Sequence, residues 1–314
     1  MAHAPLAASA PRARIVALGE PMIEFNQTRA GETSYQQGFG GDTSNFIVAA
    51  ARQGGDCAYL TRLGDDAFGQ MFLRLWRDEG VDTRGVQLDR AAHTAVYFVS
   101  HDAQGHSFSY LRAGSAASRM TPADLDPELI RGAGFLHVSG ISQAISPGAC
   151  DAVFAAIEIA RAAGVAVCYD ANLRLKLWPL ARARAIIRAT IGLSDYFLPS
   201  IEDAQQFTGL DDADAILDWC FAAGAANVLL KLGKDGVIAA TAQERRHIPG
   251  FAVDAVDATG AGDCFAGALV ARLAAGDDLP SAARYANAAA ALTTTGYGAV
   301  APIPHADRVR ALLG

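Results

Sequence analysis

The sequence predicts an α/β fold, a three-layer arrangement with a mostly parallel central sheet between helices and a small β-sheet lid. Two observations predict it. From Gly134 onward, short apolar runs alternate with helical stretches, the pattern of successive β–α units. Between Thr94 and Arg112, two strand-like runs instead face each other around Gln104-Gly105, a hairpin inserted early in an alternating chain. The 314 residues have room for one such domain over 1–314, with lid strands drawn from about 22–40 and 94–112.

Taken in order, residues 15–18 form a short apolar run ending in Gly19-Glu20, a buried central strand. Residues 22–26 and 35–39 are short pieces flanked by polar turns. Gly40-Gly41-Asp42-Thr43-Ser44-Asn45 then opens a helix over 46–53, with Asp, Thr and Ser all able to cap and Asn45 in the first turn. Residues 57–63 read as a strand. Phe68, Met71, Phe72, Leu75 and Trp76 share one helical face and belong to the core. Strands follow over 135–138, 165–169, 196–198 and 228–232, separated by helices over 147–163, 180–191 and 213–223. Residues 237–241 and 245–249 resemble a hairpin near the far sheet edge. Ala-rich helices over 262–275 and 280–294 close the domain.

About half the residues are apolar, and the formal charge is −7, which argues against a general nucleic-acid binder with a basic footprint. Cys57, Cys150, Cys168, Cys220 and Cys264 are odd in number and never spaced as CxxC, so reduced thiols in a cytoplasm are expected and a structural zinc site is not. The opening MAHAPLAASAPR has neither a basic start nor a long apolar core. It reads as a frayed tail and not a signal peptide. No apolar run approaches membrane-spanning length.

The chemistry centres on Asp257-Ala258-Thr259-Gly260-Ala261-Gly262-Asp263. Its glycines free the backbone, and the apolar residues from Cys264 onward predict a buried helix. The helix start then offers unpaired N–H groups and the positive dipole end, an anion hole with an acid at its rim. An ordinary capped turn has the same local appearance. A dinucleotide fingerprint does not fit, because the preceding Val253-Asp254-Ala255-Val256-Asp257 is too short and acidic for the required strand. In open parallel sheets ligands bind beyond the carboxyl ends of strands. Asp170-Ala171-Asn172-Leu173-Arg174, Ser200-Ile201-Glu202-Asp203 and Lys231-Leu232-Gly233-Lys234-Asp235-Gly236 all fall there. Each alone could be a cap or tight turn, but their shared location argues for a site. No GxxxxGK[ST] and no kinase HRD or DFG set is present. The anion hole, neighbouring acids and lid are nevertheless what phosphoryl transfer needs.

Gly40-Gly41-x-x-x-Asn45, Asp257-x-x-Gly260-Ala261-Gly262-Asp263-x-x-x-Gly267-Ala268 and Gly233-x-x-Gly236 together resemble the ribokinase-like (PfkB) carbohydrate kinases, over residues 15–302. Within that family the chain looks most like the 2-keto-3-deoxygluconate kinases. The resemblance implies ATP and Mg²⁺ as cofactors and the terminal hydroxyl of 2-keto-3-deoxygluconate as acceptor, at O6. A neutral-sugar fructokinase or ribokinase, or a non-catalytic sugar- or nucleotide-binding regulator, is the alternative. It implies Asp263 as general base, with Gly260, Ala261 and Gly262 donating N–H bonds to the transferring phosphoryl group. An Asp at a helix amino end is expected to be a weak base, acceptable where proton transfer is late. ATP is implied across Lys231, Gly233, Lys234 and Gly236, with adenine near Asn287 and Gly298 and with Asn172 and Ser200 beside it. Gly40, Gly41 and Asn45 are implied to hold sugar hydroxyls.

Tyr110 and Arg112, two apart on one strand, point to the same lid face, while Arg174 comes from the sheet side. Two converging guanidinium groups suit a carboxylate, and Tyr97 matches the lid tyrosine of the sugar-acid kinases. The sequence departs from the family at Ala258, where a Thr or Ser is usual, which puts a monovalent-cation site in doubt. It also departs at Ser200-x-x-Asp203, where Asn-x-x-Glu is usual, leaving Asp203 as the metal-linked acid, reached through water. Exposed lid edges favour a homo-oligomer.

Overall fold

The computed structural model describes residues 14–102 and 105–314. The expected tail at 1–12 and Gln104 of the expected hairpin turn lie outside them. β1 (Ile15–Leu18) has no polar face and lies within the large sheet, buried on both sides. The chain then runs through β2 (Met22–Gln27), β3 (Tyr35–Gly40) and α1 (Asp42–Arg52), and returns as β4 (Cys57–Gly64), α2 (Ala67–Asp78) and β5 (Val86–Asp89). β6 (Ala95–Asp102) and β7 (Gly105–Leu111) pair as the expected antiparallel strands. Next come α3 (Pro127–Arg131), β8 (Phe135–Ser139), α4 (Gly140–Ala144), α5 (Pro147–Ala162), β9 (Ala166–Asp170) and α6 (Leu180–Ile191). β10 (Tyr196–Phe197), α7 (Ile201–Thr208), α8 (Ala213–Ala222) and β11 (Asn227–Lys231) continue the alternation. The antiparallel β12 (Val237–Thr241) and β13 (Arg245–Ile248) precede α9 (Ala261–Ala274), α10 (Leu279–Thr293) and α11 (Ala306–Leu313).

The large sheet has the order β13-β12-β11-β10-β9-β8-β1-β4-β5, and only β12 runs against the others. The lid is a separate sheet, β3-β2-β6-β7, with β2 and β6 parallel at its centre. Strand residues alternate between two cores. Val16, Leu136, Val167 and Tyr169 pack on one side with Val153, Ile187 and Ile216 of α5, α6 and α8. Ile15, Ala17, Tyr59 and Cys168 pack on the other with Phe46, Trp76 and Leu269 of α1, α2 and α9. This is the three-layer α/β arrangement with a small second sheet. From β1 the chain goes to β4 on one side, while β8 to β11 extend the sheet on the other. That reversal leaves a crevice between the carboxyl ends of β1 and β8.

Three details differ from the sequence reading. β5 escapes it because Val86–Asp89 is a short edge strand whose middle residues are exposed, so no apolar run marks it. α3, α4 and α11 escape it too: α3 and α4 span only 5 residues each, and α11 buries only Val309. The cap of α1 is Gly41 at φ 95, not a side chain, so Asp42, Thr43 and Ser44 lie inside the first turn. A Cβ at Gly41 would lie 2.3 Å from the Glu20 carbonyl oxygen, which explains the glycine. Phe72 and Trp76 are fully buried, as expected of α2, while Phe68 and Leu75 pack partly buried at its margin. Among the described residues no helix is long and apolar enough to cross a membrane.

α1 and α9 cross closely. A Cβ at Gly267 would sit 2.3 Å from the Phe46 carbonyl oxygen and 2.8 Å from the Ala49 Cβ. Gly267→Ala is expected to lower stability by about 1–3 kcal/mol, despite alanine's better helix propensity, because backbone cannot give way. Urea unfolding checks this; a more stable variant would show that the two helices can separate freely.

Candidate active site

The amino end of α9 is built by glycine. Gly260 caps the helix at φ 75, and a Cβ there would lie 2.8 Å from the Ala299 carbonyl oxygen. Asp257 braces the loop. Its Oδ1 accepts the Thr259 N–H (2.9 Å) and hydroxyl (2.6 Å), and its Oδ2 accepts the Gly298 N–H at 3.0 Å. Among the described residues nothing accepts from the N–H groups of Gly260 and Gly262. The expected third donor differs: the Ala261 N–H turns back to the Ala258 carbonyl oxygen at 3.2 Å. The apolar run Cys264 to Ala271 is buried, which anchors this open end from below.

Asp263 lies in the first turn of α9 and accepts a 2.8 Å hydrogen bond from Asn45 Nδ2, on the first turn of α1. Asn45 is buried, and its Oδ1 has no partner. Lys231, at the end of β11, brings its Nζ to 3.6 Å from where a Gly262 Cβ would be, so an ammonium joins the helix mouth. Its Nζ donates to Asp170 Oδ2 at 2.6 Å, at the end of β9. Asn172 holds the unusual φ of 33, with Nδ2 donating to Asp42 Oδ2 at 3.0 Å. Asp42 is buried and its Oδ1 has no partner. Asp170 and Asp263 thus face one ammonium, with Asp42 a third acid beside them.

The consequence overturns the expected weak base. Burial first, and the Asp42 charge second, push the Asp263 carboxyl up to about 8, against the opposing Asn45 bond. Asp42 is pushed up by the same burial, opposed by the neighbouring Ser139 hydroxyl and Thr43 backbone N–H. The helix dipole favours a charged Asp263, but desolvation and like charges outweigh it. His137 of β8 stacks on Phe46 at 3.6 Å between centroids, and burial holds it neutral, down to about 3.

The lid face above carries Gly40, Tyr97 and Tyr110. Tyr97 Oη donates to Glu24 and lies 2.5 Å from where a Gly40 Cβ would be, so only glycine fits beneath it. The Tyr97 and Tyr110 rings stack at 5.9 Å, and the Arg112 guanidinium lies 5.6 Å from the Tyr110 ring centroid. Of the expected pair of guanidinium groups, the lid one is already engaged. Arg112 is ion-paired with Glu20, which also accepts from Ser115 Oγ at 2.8 Å. Arg174 is exposed and donates to its neighbour's carbonyl, Leu173 O, at 2.8 Å.

On the other flank, the turn Gly233–Asp235 leaves Gly233 and Lys234 exposed, while Gly236 at φ 99 packs against the Ile248 carbonyl. Two expected ligand side chains are instead structural. Ser200 caps α7, accepting the Asp203 N–H, and Asn287 Nδ2 donates to the Ile248 and Pro249 carbonyls at 3.0 and 3.1 Å. Asp203 accepts the Leu173 N–H at 2.9 Å, and burial raises its carboxyl. Among the described residues no three His, Cys, Asp or Glu side chains form a metal-holding group. The acid excess with the unpartnered Asp42 Oδ1 fits a Mg²⁺ that arrives with phosphates and water, not an all-protein cage.

Glu20 and Asp42 are the site residues to which sequence reasoning gave no ligand role, and Asp170 entered only as part of its strand-end motif. Glu20 follows β1 directly, so the strand-end rule applied to the other motifs would have found it. The arrangement can hold an anion at α9 and take a proton at Asp263 from a group lying under the lid.

The family model for pfkB family carbohydrate kinases matches residues 12–306. Fructokinase-2 of Solanum lycopersicum is 35% identical over 319 residues, covering 95% of each chain. The solved fructokinase of Vibrio cholerae O395, holding fructose, ADP and calcium ion, has a TM-score of 0.87 at 29% identity, over 96% of this chain and 99% of that one. An E. coli structure provisionally assigned as Ribokinase II, in complex with ATP and Mg²⁺, has a TM-score of 0.88 at 25% identity over 96% and 99%.

The raised Asp263 carboxyl carries a stability signature. In the fold the carboxyl is pushed up to about 8 from an ordinary value of 3.8, so between these the folded state keeps a proton that the unfolded chain loses. The group's contribution is full below about pH 4 and lost as pH rises toward about 8. Asp263→Asn is therefore expected to raise Tm at pH 8 relative to the parent and to make little difference at about pH 4. Equal Tm values at both pH values in calorimetry would refute the burial argument.

Proposed function

Since the chain belongs to the pfkB family of carbohydrate kinases, we propose that it transfers the γ-phosphoryl group of ATP to the terminal hydroxyl of a six-carbon 2-keto sugar. The observation that carries the reading is Asp263, bonded to Asn45 and beside Lys231 at the open amino end of α9. The acceptor favoured by the relatives is fructose, since proteins named fructokinase match along nearly the whole chain. The buried Glu20 supports it, because Arg112 reaches the lid with its charge already answered. The second reading is 2-keto-3-deoxygluconate, phosphorylated at O6. It is favoured by Arg112 and Tyr110 standing together beside Tyr97, a guanidinium over an aromatic wall on the same side as Gly40.

In this mechanism Gly40, Gly41 and Asn45 hold the sugar, with the free Asn45 Oδ1 accepting from a hydroxyl. Asp263 takes the proton of the terminal hydroxyl as its oxygen bonds to the γ-phosphorus and the bond to the ADP oxygen breaks. Charge on the transferring group meets the Gly260 and Gly262 N–H donors and the Lys231 ammonium. ATP lies over Lys231 to Gly236, with Gly298 at its far side. When bound, Mg²⁺ would supply neutralisation of phosphate charge, and Asp42 and Asp203 would be the carboxylates to hold it through water. The same proposal includes a cytoplasmic enzyme, consistent with its five buried free cysteines, and pairing between copies through the lid edges.

A screen of ADP release tests the acceptor. Fructose is expected to give the higher kcat/KM; a tenfold advantage for 2-keto-3-deoxygluconate would select the second reading, and turnover of neither would end the proposal. Asp263→Asn is expected to lower kcat by about 10²–10⁴. In the parent, kcat/KM should climb with pH toward a plateau above about 8, as the carboxylate form accumulates. A profile flat across that range would remove Asp263 as the base.

A further inference from the structure

Glu20 has no part in the mechanism above, yet it is placed to govern which acceptor is taken. It follows the carboxyl end of β1, is 1% exposed, and has both oxygens engaged: Oε2 with Arg112 Nη2 and Oε1 with Ser115 Oγ. The Arg112 side chain is itself 11% exposed, and its Nε is buried without a partner. The lid cation is therefore not a solvated charge. It is a buried guanidinium with one donor unanswered and its other end held by an internal carboxylate.

We infer that Glu20 determines specificity for acceptor charge: it holds Arg112, and the carboxylate of an acid acceptor has to compete with it for that guanidinium. The inference rests on the reading that Tyr97, Tyr110 and Arg112 border the acceptor. Glu20 acts through Arg112 and is a positioning residue.

The competition has a proton balance. When an acid acceptor draws Arg112 away, Glu20 is left buried without a counter-charge. The charged groups facing it from other elements do not replace the guanidinium. Asp42 on α1 is a like charge, and Tyr59 on β4, tied to Thr43 Oγ1 at 2.8 Å, is neutral. Burial already holds the Glu20 carboxyl above its ordinary range. It therefore takes a proton from solvent as the acid enters. One carboxylate and one proton arrive together, and the net charge of the site is unchanged. A neutral sugar leaves the Glu20–Arg112 pair intact and binds without proton uptake.

The test is the KM for 2-keto-3-deoxygluconate and for fructose between about pH 6 and about pH 9, with the parent enzyme and with Glu20→Gln. Calorimetric titration of the acid in two buffers of different ionisation enthalpy accompanies it. For the parent, the acid KM is expected to rise by up to about tenfold per pH unit while the fructose KM does not follow. Glu20→Gln keeps a partner for Ser115 but removes the competing charge. It should shift the acid-to-fructose ratio of kcat/KM by about tenfold or more toward the acid, and flatten its pH dependence. A parent acid KM as flat as that for fructose, without proton uptake, overturns the inference whether or not the variant folds. So does a folded Glu20→Gln enzyme that binds the acid no better. If the parent turns over neither acceptor, the kinase reading has failed, and proton uptake on binding the acid still decides the role of Glu20.

Discussion

The contact on which the site depends is the crossing of α1 and α9, where the absence of a side chain at Gly267 lets two backbones meet. Gly267 is one turn beyond Asp263, and Phe46, which it touches, follows Asn45. The same close approach therefore brings the amide of one helix within 2.8 Å of the carboxylate of the other. Any side chain at Gly267 would push the helices apart and break a bond about a turn away. Packing density, not sequence proximity, sets this geometry across a separation of 218 positions.

Around that bond the protein concentrates negative charge instead of dispersing it. Asp170 and Asp263 share one well-placed ammonium, Lys231, Asp42 stands beside them as a third acid, and burial raises Asp42 and Asp263. Such crowding opposes folding and favours chemistry. A carboxyl held near neutrality is a better proton acceptor than an ordinary Asp, and an acid-rich pocket attracts a divalent cation. The strained φ of Asn172 belongs to the same set, since its amide is the donor that keeps Asp42 in place. Consistency between local preference and global fold breaks down at these residues, as it does at sites where function is bought with stability.

The lid is joined to the main sheet by polar ties as well as by its apolar contacts with α2. Phe25 and Phe39 pack on Phe68 and Phe72, which fixes the outer lid face. On the inner face, Tyr97 bonds to Glu24 within the lid, and Arg112 bonds to Glu20 at the end of β1. A buried ion pair of this kind contributes little net stability, because desolvation offsets attraction, but losing one partner is costly. Its value here is positional: it fixes where the strap leaving β7 re-enters the main body.

Periodicity and turn chemistry made the architecture legible. The alternation after Gly134, the early hairpin and the two glycine-rich helix starts were all readable, because each is written in local spacing. Asp263, Asn45 and Lys231 were readable as strand-end or helix-start residues, and the three do converge. The edge strand β5 was not, since an exposed edge needs no apolar run. Ser200 makes the helix cap that its spacing to Asp203 allows, whereas the partners of Asn287 are carbonyls 38 and 39 positions away, invisible to spacing. What the sequence alone determined is what depends on neighbours along the chain: element type, the glycine positions and the order of motifs. Only the tertiary structure decided that Arg112 is answered by Glu20 and that Asp263 is a stronger base than a helix amino end allows. Both follow from burial and from charges brought together across the fold, and one-dimensional spacing carries neither.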